Sequence, residues 1–129
     1  MTPELLRERL AQAGDERMKV AEDLFGVADF LRTNSSVQRA LTDPSREQSD
    51  RDALVDRLFA PVVSAVSIQC LHDLVAGHWS RPRDIVHAVE ETGCDAVLLS
   101  AQFDGELEET EAQLVAVSVF LQSHRDLRN

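Results

Sequence analysis

The sequence predicts an all-α protein, an antiparallel bundle of about six or seven helices. Apolar residues recur at helical spacing, strand-like alternation is absent, and glycine and proline sit mostly at the ends of apolar runs. The helical spacing is clearest in a stripe that occurs twice. Leu24, Val27, Phe30 and Leu31 return as Leu114, Val117, Phe120 and Leu121, displaced by 90 residues. The interval i, i+3, i+6, i+7 places the four side chains on one helical face suited to core packing. A polar break and then Val37 or Leu127 follow each copy, and Ala11-Gln12 matches Ala101-Gln102. The repetition predicts a single helical bundle domain over residues 1–129. About 1–93 would form one helical unit, and about 96–129 the start of a second, repeated one.

The first helix is expected over residues 3–13, with Pro3 in its first turn, where a missing N–H is harmless. Gly14-Asp15 ends it, and Asp15 is placed to cap a long helix running to about residue 33. Ser35-Ser36-Val37-Gln38 has the form of a capping box and opens a short helix that Asp43-Pro44 closes. The same form recurs in Ser45-Arg46-Glu47-Gln48 and opens a helix towards Phe59. Pro61 interrupts, and Ser64 restarts a helix through Ile68, Leu71, Leu74 and Val75 to Trp79. Pro82 then stands at the start of a helix carrying Ile85, Val86 and Val89. Gly93 inside that pattern reads equally as a kink, a close helix contact or a boundary. Spacing resumes at Val97, Leu98 and Ala101 as far as Phe103, and Asp104-Gly105 turns the chain into the repeated helix. The loops are short, which makes sequential neighbours antiparallel.

With 129 residues, 43% of them hydrophobic and 28% charged, the chain can bury a core and remain soluble. No apolar run approaches the roughly 20 residues of a membrane span, so no direct membrane insertion is expected. Met1-Thr2-Pro3-Glu4 does not open a signal peptide. A net charge of −10 argues against nucleic acid, whose phosphates need a concentrated basic face. The acidic run from Asp104 to Glu111 suits a solvated helix start, where it complements the helix dipole. Cys70 and Cys94 have neither metal nor redox spacing and read as reduced core residues.

Chemistry is absent from the pattern. His72, His78, His87 and His124 form no His-x-x-x-His, and no acid or cysteine completes a ligand set. His72 and His78 are six residues apart, about 120° around a helix. No Gly-x-Ser-x-Gly and no glycine-rich phosphate loop occurs. The expected catalytic, cofactor and metal sets are therefore empty. Trp79 reads first as the closure of a helix end beside Arg81 and Pro82, and otherwise as an anchor for a partner helix.

The order of elements carries a resemblance. Leu24-Phe25-Gly26-Val27-Ala28-Asp29-Phe30-Leu31, then Val37 through Leu41-Thr42-Asp43-Pro44-Ser45, resembles the delta subunit of bacterial F-type ATP synthase. The mitochondrial counterpart of that family is the oligomycin-sensitivity-conferring protein. His78-Trp79-Ser80-Arg81-Pro82-Arg83-Asp84 is similar to an Arg-Trp-Ser-x-Pro-Arg-Asp segment of the actinobacterial long forms, whose helical region looks partly duplicated. Residues 96–121 are similar to the family's opening helical hairpin. The Trp79 segment and the Pro44-Ser45 turn are the specific parts; apolar stripes alone would prove nothing. The family's Arg-Tyr-Ala opening and its C-terminal domain are missing, so the chain reads as a fragment.

The resemblance implies a non-catalytic, structural role in the peripheral stalk of a proton-driven ATP synthase, at the cytoplasmic face of the cell membrane. The partners it implies are the N-terminal helix of an alpha subunit and the stalk's b subunit. The helix would lie in an apolar seam between the family's first and fifth helices. Matched to residues 96–103 and 84–89, that seam would comprise Ile85, Val86, Val89, Val97, Leu98 and Ala101. The alternative from the residues alone is an independent all-α adaptor that binds another protein's helix. In isolation a monomer is expected, with residues 96–121 folded back on the first unit, rather than a swapped dimer.

Overall fold

The computed structural model describes residues 1–105, and they divide by contacts into a unit Met1–Leu99 and the start of a second unit, Ser100–Asn129. Thr2 opens the first helix, α1 (Pro3–Ala13): its hydroxyl accepts from the Leu5 N–H at 3.2 Å. Pro3 fills the first turn, and Gly14, at φ 57°, ends the helix in a conformation that glycine alone adopts freely. Leu6 and Leu10 point inward.

A single 3₁₀ turn, Gly14–Glu16, joins α1 to α2 (Arg17–Arg32). The expected Asp15 cap does not form, and Glu16 at the N-cap position makes no side-chain bond either. The 3₁₀ turn carries the chain directly into α2, and the Arg17 guanidinium ties back to the Leu10 carbonyl at 3.3 Å. Val20, Ala21, Leu24, Val27, Ala28 and Leu31 form the buried face of α2. Phe30, expected on the same stripe, is 39% exposed. At 3.6 residues per turn it lies about 120° from Leu24, at the edge of the core face.

Neither expected capping box forms. Helix α3 (Ser35–Thr42) starts after Asn34 without a side-chain cap, because Gln38 instead donates to the Leu31 carbonyl at 2.6 Å. That buried bond fixes α3 against the end of α2. Asp43 captures Ser45, accepting from its N–H at 2.9 Å and its hydroxyl at 2.6 Å. Ser45 is thereby part of a turn, and α4 (Gln48–Phe59) begins later, burying Val55 and Phe59.

Ser64 caps α5 (Ala65–Val75), its hydroxyl accepting from the Ser67 N–H at 3.3 Å. The helix stops at Val75, four residues short of the expected Trp79. The indole turns back and donates to the Leu74 carbonyl at 3.0 Å, serving one of the orphan acceptors of the helix end. The chain is helical again from 84 to 99, and the second unit's described residues, 100–105, are helical too. No break occurs at Gly93, and Asp104 and Gly105, expected to turn the chain, are helical. Gly93 is the site of a close contact: a Cβ there would lie 3.1 Å from Phe25 Cε1.

Among the described residues every regular element is helical, and five helices have both ends in view. The expected total of six or seven reaches into residues outside those described, as do Leu114, Val117, Phe120, Leu121, Leu127, His124 and the proposed folding back. Within the first unit α1 packs on α2 and α5, α4 on α3 and α5, and α2 on α3 and α5. The core is Leu6, Leu10, Val20, Leu24, Leu31, Leu41, Val55, Leu71, Leu74, Val75, Ile85 and Val89.

Candidate partner-binding surfaces

Among the described residues no cluster of three His, Cys, Asp or Glu side chains is arranged to hold a metal ion. Nor is any helix among them long and apolar enough to cross a membrane. His72 is engaged with Asp56 at 2.7 Å, joining α5 to α4. Burial, together with the nearby Asp73 charge, pushes the Cys70 thiol up to about 12, leaving it a protonated core residue. Cys94 departs from expectation and is exposed. It lies one position beyond Gly93, on the opposite side of the helix from Val89 and Ala96.

Three surfaces remain. The first is the face where α1 meets α5. Arg9 donates Nε to Asp73 at 3.0 Å and Nη2 to its other oxygen at 3.2 Å, and Nη1 reaches Gln69 at 3.3 Å. The fork-to-carboxylate geometry raises the Arg9 pKa, against an opposing effect of burial. The bridge fixes the two helices side by side; Leu5, one turn before Arg9, and Val66, two turns before Asp73, are half-buried.

The second is an apolar groove of about 430 Å³ between α2 and the end of α4. Gly26, Val27 and Phe30 form one wall, and Leu58, Phe59, Val62 and Val63 the other. Phe30 and Phe59 meet edge to face, their ring centres 5.6 Å apart. Asp23 closes one end by clamping α2 to the start of α5. Its carboxylate accepts from the Ser64 N–H at 3.0 Å, the Ser67 hydroxyl at 2.8 Å and Lys19 at 3.3 Å. Burial pushes the Asp23 pKa up, but these donors together hold it below the usual carboxylate value.

The third is a cleft of about 480 Å³ lined by Arg39, Thr42, Asp43, Pro44, His78, Trp79, Ser80 and Pro82. It joins the Pro44 turn to the Trp79 segment, which lie far apart in the chain. Trp79 serves as structure here, its N–H spent on the end of α5.

Of the six residues expected to line a partner seam, five lie in the first unit, where they divide between core and surface. Ile85, Val86 and Val89 are 1%, 5% and 0% exposed and hold their helix to the bundle. Val97 is half-buried, and Leu98 is 64% exposed. Ala101 falls in the second unit. Counted in order, the first and fifth helices are α1 and α5, and Arg9 and Asp73, which bridge them, were not singled out by the sequence. Nor was the groove, which needs the end of α4 beside α2.

No family model matches the chain. Individual relatives do match it, among them ATP synthase delta subunits of actinobacteria. That of Frankia casuarinae is 42% identical over 96 residues, covering 74% of this chain and 35% of the relative. That of Beutenbergia cavernae is 37% identical over 123 residues, 92% of this chain and 44% of the relative. That of Bifidobacterium adolescentis is 32% identical over 124 residues, 96% of this chain and 43% of the relative. The chain thus spans less than half the length of the curated relatives it matches. Over 74–96% of its length, at 32–42% identity, the chain is similar to ATP synthase delta subunits.

Proposed function

We propose that this helical unit is a non-catalytic, structural part of an ATP synthase peripheral stalk, on the cytoplasmic side of the cell membrane. It holds the catalytic head against rotation by binding the amphipathic N-terminal helix of an alpha subunit. Contact with the b subunit belongs to the rest of the assembly. The observation that carries this reading is the 37% identity over 123 residues to a protein named as the delta subunit.

The fold supports a specific surface for the partner helix. Taken by order in the chain instead of by the match to residues 96–103 and 84–89, the first and fifth helices that flank the seam are α1 and α5. The bidentate Arg9–Asp73 bridge holds these two helices in fixed register, so a partner helix meets a preformed surface. Leu5 and Val66 supply apolar area there, while exposed Glu8 and Gln69 supply polar edges. Ile85, Val86 and Val89 act behind this surface, by holding the bundle together. Of the seam residues on the helix that begins at 84, Leu98 alone offers a large exposed apolar side chain.

The test is a titration of the chain with a labelled peptide spanning the alpha subunit's N-terminal helix from the same organism. Saturable binding is expected, weakened at least about tenfold, or about 1.4 kcal/mol, by Leu5→Glu or Val66→Glu. Leu98→Glu checks the remaining exposed seam position in the same assay. No binding to the peptide, together with none to delta-depleted catalytic heads, overturns the reading.

A further inference from the structure

We propose that the groove between α2 and the end of α4 is a second docking site, for a partner protein's amphipathic helix with lysine or arginine flanking its apolar stripe. Gly26 is the key residue. It stands inside α2, where glycine is the least favourable residue after proline. No internal contact calls for it, since a Cβ built there meets nothing within 4 Å. Gly93 is the opposite case, pressed against Phe25 within the bundle. Gly26 is exposed and opens into the groove. A missing side chain at that point lowers the groove wall and lets a second backbone approach α2 closely.

The surroundings suit an apolar helix face. Phe30 and Val62, on opposite walls, are 39% and 68% exposed, and the groove between them is about 430 Å³. Two of the molecule's exposed large apolar side chains therefore face one concavity, the arrangement of a helix-in-groove site. The rim charge selects the occupant. Glu22 is exposed and, among the described residues, makes no ion pair, while Asp23 is already engaged by Ser64, Ser67 and Lys19. A second copy of the chain would bring another acidic rim and another net charge of −10 to the same place. Like-charge repulsion disfavours that pairing, whereas a helix with basic flanks is attracted. This groove is separate from the α1–α5 face and does not depend on the function assigned to it.

The test uses two synthetic helical peptides with the same leucine and alanine stripe, one flanked by lysines and the other by glutamates. Each is titrated calorimetrically into the whole chain. The lysine-flanked peptide is expected to bind at least about tenfold more tightly, and Glu22→Lys to reverse the preference. Gly26→Ala should raise the thermal midpoint, because the helix gains, yet weaken the lysine-flanked peptide, and Gly26→Leu should abolish its binding. Weaker binding by a more stable protein excludes misfolding as the cause. Failure of both peptides to bind, equal binding of the two, or unchanged binding by Gly26→Leu overturns the proposal. So does a dimer in sedimentation that Gly26→Leu dissolves, since the occupant is then a second copy.

Discussion

Gly93 and Phe25 meet so closely that a Cβ on Gly93 would stand 3.1, 3.2 and 3.3 Å from three carbons of the Phe25 ring. The contact seats the helix beginning at 84 on α2, beside the ion pair of Arg32 with Glu90. A side chain at position 93 displaces the ring. Gly93→Leu is expected to destabilise the fold by about 2 kcal/mol, in the range of overpacked cores. Phe25→Ala should recover part of that loss, because the two positions share one space. A double-mutant cycle in urea, showing coupling between them, checks it. Additive effects would place the clash elsewhere.

Asp23 makes stability depend on pH with a definite sign. Its carboxylate has a folded-state pKa below the unfolded value, so the stability it contributes is present above about pH 3.9. It is lost as the pH falls through the folded pKa. The urea midpoint should therefore drop on acidification below pH 4, and less steeply in Asp23→Asn. Asp43, held low by Ser45, adds an effect of the same sign and remains in that variant. At neutral pH, Asp23→Ala should cost about 2 kcal/mol, because three donors lose a charged acceptor.

Leu24 and Phe30, members of one apparent stripe, should respond very differently to truncation. Leu24 is 0% exposed, and Leu24→Ala is expected to cost about 2–5 kcal/mol. Phe30 is 39% exposed and leans on Phe59 at the groove. Phe30→Ala should cost about 1 kcal/mol, chiefly the loss of the edge-to-face pair. Chemical denaturation of both variants measures the contrast, and equal losses would place Phe30 in the core.

The two thiols should separate cleanly by reactivity. Cys70 is buried and its pKa lies at about 12, while Cys94 is exposed. A thiol reagent added to the native chain should label Cys94 rapidly and Cys70 only on unfolding. Protection of Cys70 then reports opening of the α1–α5 contact, since Arg9 and Asp73 lie beside it. Rapid native labelling of Cys70 would contradict its burial.

Features decided by local chemistry were legible in the sequence, and those decided by a distant partner were not. Thr2, Pro3 and Gly14 mark α1 within one turn of each of its ends, and its limits are those read from the sequence. Ser64 marks the start of α5 in the same way. The capping motifs at Ser35 and Ser45 failed because another group claimed their residues: the Leu31 carbonyl took Gln38, and Asp43 took Ser45. Glycine spacing did not reveal which of Gly26 and Gly93 faces a neighbour and which faces open space. Nor could the chain show that residues near 26 and near 62 share a groove. The seam residues Ile85, Val86 and Val89 follow from matching the segment 84–89 to the family's fifth helix, and their apolar character marks a core as readily as an interface.

Trp79 is the single tryptophan of the chain, and its half-buried indole is tied to the Leu74 carbonyl at 3.0 Å. Its intrinsic fluorescence is therefore a gauge of one place, the end of α5 and the connector that follows. Fraying of that end frees the ring into water and shifts the emission to longer wavelength while the helices closed by Leu24 and Val55 are still intact. A red shift that precedes loss of helical circular dichroism on heating would mark this corner as the first to open.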